Sequence, residues 1–249
     1  MIKRIGFLTG CGKGIGFSIA KKILMNEANT LLFGVSRSFT EDVKALINLY
    51  PHRFYFKEAD ISDIQSINSI LEEIYSEHGR IDFAICNAGK RSRSLVKDSS
   101  LDLYNSIFAV NTLANINIVK FLITSNIRYN KKLNILLLSS IVGGRGFEGL
   151  SSYAVSKSAL EGFMKSVAVE YGKNNIQINC IAPGFIESSY AKEFKSTNND
   201  LYNWTIDQTP MGRWGTCDEI AELSLFAVSE KNSYMTGSVM YCDGGWTAK

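Results

Sequence analysis

Residues 5–24 read IGFLTGCGKGIGFSIAKKIL. A short apolar run, Ile5 to Leu8, stops at a glycine-rich turn, and Ile15, Ile19, Ile23 and Leu24 then recur at helical spacing. A strand feeding a glycine turn that opens a helix is where a dinucleotide pyrophosphate meets the positive end of a helix, and glycines let the backbone approach the phosphate. The spacing is not GxGxxG, because Ile15 occupies the sixth place. It is Thr9-Gly10-x-x-x-Gly14-x-Gly16, with Gly12 as an extra glycine and Lys13 adding a charge. The turn gains force from its position after a first strand and before a helix.

Outward from this unit the pattern repeats. NTLLFGV (29–35), RFYFKEAD (53–60), IDFAIC (81–86), LNILLLSS (133–140), IQINCIA (176–182) and SVMYC (238–242) read as strands. Between them lie helical patterns at 41–49, 64–75, 101–125, 153–171 and 218–228. Strand–helix alternation with near-continuous apolar strands predicts an α/β chain: a doubly wound parallel sheet of about seven strands, helices on both faces, in a single-domain Rossmann fold. One domain over 1–249 is expected, since no linker, repeat or low-complexity segment appears. Residues 185–210 are the least regular stretch and are read as a long loop, either a substrate lid or binding loop or else a locally disordered segment.

Composition narrows the function. A formal charge of +3 is too small for a nucleic-acid surface, and no apolar run approaches a membrane span. Five scattered cysteines and only two histidines give no metal-site spacing and fit a reducing, cytoplasmic setting. The second strand ends in Ser36, Arg37 and Ser38, without the carboxylate that binds a ribose 2′-hydroxyl. Arg37 and Lys13 suit a 2′-phosphate instead, so the sequence favours NADP, as NADPH, over NAD. Asp60, with Ile61 beside it, is placed to contact adenine; a helix N-cap, for which Ser62 and Asp63 compete, is the other reading of Asp60.

The stretch SSYAVSK (151–157) places Tyr153 one helical turn before Lys157, on the same face. A phenol is a poor acid at neutral pH, and a neighbouring cation favours its ionised form. With TGCGKGIG, CNAG (86–89), VNTLAN (110–115), LLLSSIVGG (136–144), YAVSK, NCIAPGFIESS and YCDGGW in this order, the chain resembles the short-chain dehydrogenase/reductase family along its whole length. The resemblance implies hydride transfer between a nicotinamide and a carbonyl or secondary alcohol. Tyr153 would be the acid–base, Lys157 its partner on the nicotinamide ribose, and Ser140, thirteen places before Tyr153, the donor to the substrate oxygen. Asn111 would hold a relay water. Asn87, Ala88 and Gly89 would line the adenosine side, and Pro183, Gly184, Ile186 and Ser188 the nicotinamide side, Ser188 standing where the family often has Thr.

Within the family the pattern is most similar to beta-ketoacyl-acyl-carrier-protein reductases, which implies a thioester substrate on an acyl carrier protein. Lys131, Lys132 and Lys173 would meet that acidic carrier, although Asn174 stands where an Arg is wanted. A small-molecule substrate such as a sugar, polyol or other ketone is the alternative, and Tyr190, Phe194, Tyr202, Trp204 and Trp214 would stack on it or close the lid. A cofactor-sensing regulator without chemistry, or a sugar-nucleotide epimerase, are the further readings. The family assembles as homotetramers or homodimers through helices like 101–125 and 153–171, and Leu160, Phe163 and Val167 fit such an interface or the core.

Overall fold

The structure is a computed structural model that describes residues 4–129 and 131–249, leaving the side chains of 129, 189, 190, 192 and 193 outside the description. The seven long strands are β1 (Arg4–Thr9), β2 (Thr30–Ser36), β3 (Phe54–Glu58), β4 (Phe83–Cys86), β5 (Leu133–Leu138), β6 (Ile176–Pro183) and, last in the chain, β9 (Val239–Cys242). They form one parallel sheet in the order β3-β2-β1-β4-β5-β6-β9. The chain winds outward through β2 and β3, then returns past β1 to β4. The order therefore reverses between β1 and β4, and a crevice opens beyond their carboxyl ends.

Helices α1 (Gly14–Asn26), α2 (Glu41–Leu49) and α9 (Cys217–Val228) cover one face; α3 (Ile64–His78), α5 (Ala114–Tyr129) and α6 (Ser151–Tyr171) cover the other. The strands supply both layers by alternation. Leu133, Ile135 and Leu137 of β5 enter the α3/α5/α6 core, while Leu136 and Leu138 enter the α1/α2/α9 core. Capping fixes where the helices begin. The Thr40 side chain accepts from Val43 N ahead of α2, and Asp63 accepts from Ser66 N ahead of α3. Asp63 thus takes the cap for which Asp60 was an alternative. Thr216 and Glu219 form a reciprocal capping box on α9.

Two elements depart from the sequence reading. The helix expected at 101–125 is α4 (Leu101–Phe108), one π-turn over Ala109–Leu113, and α5. By length and composition this run could cross a membrane, but half of its most apolar window is buried, and it packs against α6 and α3. The stretch 185–210 is not a long loop: it folds as a short strand β7 (Ile186–Glu187), which pairs with β8 (Gly215–Thr216), followed by α7 (Ser189–Thr197) and α8 (Asn199–Gln208). Ala191, Phe194, Leu201, Tyr202 and Ile206 gather on Trp214, so these helices have their own small core. The polar STNND marks the joint between them.

Candidate active site

The glycine turn is built by close approach. Gly10 has φ +72° and Gly14 φ +57°, values that disfavour a side chain. A Cβ on Gly10 would stand 2.7 Å from Asn87 Nδ2 and 2.8 Å from Ala88 Cα; one on Gly16 would run into the Gly10 carbonyl. The turn is laced to the end of β4: Asn87 N and Ala88 N both donate to Thr9 Oγ1 at 3.1 Å, and Asn87 Nδ2 donates to the Thr9 and Gly10 carbonyls. Thr9 is wholly buried, and Gly12 packs on Ser36 while its carbonyl accepts from Thr40 Oγ1. These two hold the turn from behind and do not line the cavity.

In front of the turn lies a cavity of about 580 Å³. Gly10, Lys13, Gly14, Ile15 and Gly16 form its floor beside the start of α1. Arg37 and Lys13, both exposed, line it, with Ser36, the last residue of β2, and Ser38. Asp60, Ile61, Asn87, Ala88 and Gly89 complete its lining. Hydrogen bonds from Ser62 N and Oγ hold the Asp60 carboxyl below its usual range, and the Arg37 cation adds to this. The strand-end glycines, the open helix N-terminus and the basic rim fit a dinucleotide carrying a 2′-phosphate.

Ile15, Asn87, Gly89, Lys90 and Ser188 also line a second cavity of about 500 Å³, so the two are continuous. Ser140, Tyr153 and Lys157 line it together with Pro183, Gly184 and Ile186. Lys157 is buried on α6, donates to the Leu138 carbonyl at 2.5 Å, and has its Nζ 5.5 Å from the Tyr153 ring centroid. Its ammonium has three donors, and this is the one hydrogen bond it makes among the described residues. The neighbouring serines point to different tasks. Ser139 is buried and donates to Glu161 at 2.5 Å, whereas Ser140 Oγ accepts weakly from Val142 N at 3.3 Å and keeps its proton to donate.

Asn111 lies in the π-turn between α4 and α5, a distortion frequent at functional sites. Its amide donates to Lys90 O (2.8 Å) and Ser156 Oγ (2.9 Å), and its oxygen accepts from Lys90 N (2.7 Å). The side chain thus ties the CNAG turn to α6 behind the cavity wall, and Asn115 Nδ2 donates to its main-chain carbonyl at 2.7 Å. Lys90 lines both cavities and was not singled out from the sequence; its place directly after CNAG was the available signal. Cys11 and Cys86 lie under the site, and burial pushes both thiols up to about 12, out of nucleophilic range.

Other expected residues lie elsewhere. Lys131 and Lys132 precede β5 and Lys173 precedes β6, at the amino ends of these strands, whereas Ser140 follows the carboxyl end of β5. In this chain the three lysines therefore stand at the far rim of the sheet from the cavity, because residues just before a parallel strand emerge at the end away from the crevice. Leu160 and Val167 are core residues with Phe163 packed beside them, while Val155 and Val169 are the apolar side chains of α6 that face outward. Of the aromatics expected to form a lid, Phe194 and Trp214 are buried, Tyr202 packs on Trp214 at 4.8 Å between centroids, and Trp204 is half exposed. The Tyr190 side chain lies outside the described residues.

Residues 10–247 match the family described as enoyl-(acyl carrier protein) reductase. A 3-oxoacyl-acyl-carrier-protein reductase of Chlamydia muridarum is 32% identical over 246 residues, spanning 98% of both chains. Its counterpart in Aquifex aeolicus is 32% identical over 97% of this chain and 96% of its own. Among solved structures, ElxO with NADP bound superposes with a TM-score of 0.91 at 28% identity, covering 99% of this chain and all of that one. Levodione reductase does so with a TM-score of 0.90 at 25% identity, over 98% of each chain.

Proposed function

This chain belongs to the short-chain dehydrogenase/reductase family, and on that footing we propose that it is an NADP-dependent oxidoreductase that reduces the keto group of a 3-oxoacyl thioester. The observation that carries the reading is the shared wall of Ser140, Tyr153 and Lys157 in a cavity continuous with the glycine cradle. Bound in that cradle, NADPH supplies the hydride. Gly14, Ile15 and Gly16 would present main-chain amides to its pyrophosphate, Arg37 and Lys13 its 2′-phosphate with cations, and Asp60 and Ile61 an edge to its adenine. Ile186 and Ser188 would meet its nicotinamide end, with Pro183 and Gly184 shaping the turn beneath.

As a carbonyl becomes an alkoxide, negative charge collects on its oxygen. Ser140 Oγ–H and Tyr153 Oη–H are the donors for that oxygen, and donors fixed before the reaction stabilise the developing charge without reorganising. Tyr153 then hands over its proton. The Lys157 ammonium, held by the Leu138 carbonyl, faces the ring left as phenolate. A buried cation beside a forming anion acts through low dielectric, where the attraction is far stronger than in water. In the reverse direction the same phenolate removes the proton of an alcohol.

The relatives' names make an acyl carrier protein the proposed bearer of the substrate, and five free cysteines fit a cytoplasmic setting. We propose a homodimer or homotetramer through the outward apolar residues of α5 and α6; a monomer by light scattering refutes this. Tyr153→Phe tests the chemistry. With an acetoacetyl thioester it is expected to abolish nearly all NADPH oxidation while keeping NADPH binding, and unchanged turnover overturns the mechanism.

A further inference from the structure

Next to the catalytic cavity lies a chamber of about 700 Å³, and Arg93, Phe147 and Phe185 line both. Trp246 is its hub. Its ring stacks with Phe147 at 6.0 Å between centroids and meets Phe185 at 4.9 Å and Trp204 at 5.6 Å edge-on. Trp204 remains 47% exposed, so a wide aromatic face is open to whatever enters. Such a wall favours flat apolar groups, which stack offset or edge-on against it.

Three cations, Arg93, Arg145 and Lys249, line the same chamber. Among the described residues none of them pairs with a carboxylate side chain. Arg93 spends Nη1 on the Glu148 carbonyl, and Arg145 spends Nη2 on the Thr247 carbonyl and, more weakly, on the Lys249 main-chain oxygen at 3.4 Å, which orients each guanidinium and leaves its other donors. Lys249 is braced by Gln208 Oε1 at 3.1 Å and leans over Trp246. The one acidic side chain on the lining is Glu148, so the chamber is net basic. The far-rim lysines 131, 132 and 173 offer no positive charge here.

We propose that the chamber binds the part of the substrate beyond its reacting carbonyl, and that this part is an arylalkyl group carrying a carboxylate or similar anion. The assignment to a substrate rests on the reductase reading; the assignment of ligand chemistry rests on the chamber alone. Aromatic walls take the ring, and the cations take the anion at the rim.

Calorimetric titration with 4-phenylbutyrate and 4-phenylbutanol, with NADPH present, tests the chamber. The acid is expected to bind at least fivefold more tightly than the alcohol, to weaken severalfold in Arg93→Gln, and to lose saturable binding in Trp204→Ala. In parallel, 3-oxo-5-phenylpentanoyl and acetoacetyl thioesters are compared as substrates. The aryl thioester is expected to show a kcat/KM at least tenfold higher than the acetoacetyl thioester in the wild type, and Trp204→Ala to erase that ratio. No saturable binding, equal binding of acid and alcohol, or an aryl gain that survives Trp204→Ala overturns the proposal. If no thioester oxidises NADPH but 4-phenylbutyrate still binds through Trp204, the reductase reading fails and the chamber's ligand class stands.

Discussion

Ser139 and Ser140 are adjacent, and their alanine variants are expected to fail in opposite ways. Ser139 is 4% exposed and donates to Glu161, itself 7% exposed, at 2.5 Å. A hydrogen bond to a charged group contributes about 1.5–3 kcal/mol net, and removing one partner leaves the other buried without compensation. Little room exists for water to take over, since a Cβ on Gly143 would stand 2.6 Å from the same Glu161 oxygen. Ser139→Ala should therefore cost about 3 kcal/mol, which for a chain of this size lowers Tm by about 6–12 °C. Ser140 makes only the 3.3 Å contact from Val142 N, so Ser140→Ala should cost under about 1 kcal/mol and about 3 °C. Its loss falls on the rate: removing one preorganised donor lowers kcat by about 10²–10³. Circular-dichroism melts and NADPH oxidation by an acetoacetyl thioester read the two effects separately. If Ser139→Ala melts with the wild type, or Ser140→Ala keeps full turnover, the assignment of the two hydroxyls is wrong.

Arg37→Ala should weaken NADPH binding about tenfold, exposure having screened the pairing, and leave NADH affinity unchanged. Equal losses for both cofactors would remove Arg37 from the 2′-phosphate. Glu219 is held down to about 2, chiefly by its side-chain bonds with Arg213 and then by the Thr216 amide. Its folded value lies below its unfolded value, so the stability it contributes is complete above about pH 4.5 and is lost as pH falls toward about 2. Glu219→Gln should therefore flatten the Tm profile between pH 6 and pH 3 by about 1–2 °C, and parallel profiles for the two proteins would contradict this.

Much of this molecule is local and therefore legible along the chain. Strand alternation, the glycine turn and the one-turn spacing of Tyr153 and Lys157 depend on backbone geometry over a few residues. A single sequence expresses them directly, and the parallel sheet follows from them. The order β3-β2-β1-β4-β5-β6-β9 puts the carboxyl ends of β1, β4, β5 and β6 side by side, which is why motifs scattered from Thr9 to Ser188 converge. The basic end of β2 and the missing carboxylate there were equally plain.

What required the tertiary structure was non-local or depended on direction. The helical pair α7 and α8 forms because Phe194, Leu201 and Tyr202 find Trp214, a partner beyond the polar joint that suggested a loop. Ser139 turns inward because Glu161, twenty-two residues on, waits there as its acceptor. The lysines at 131, 132 and 173 stand at the far rim because of which end of a parallel strand they precede. The basic aromatic chamber unites Arg93, Phe147, Phe185, Trp204 and Trp246, five residues that no period or spacing relates. Sequence by itself determined the scaffold and its chemistry, because both rest on short-range geometry; the surroundings that choose a substrate were decided by packing between segments distant in the chain.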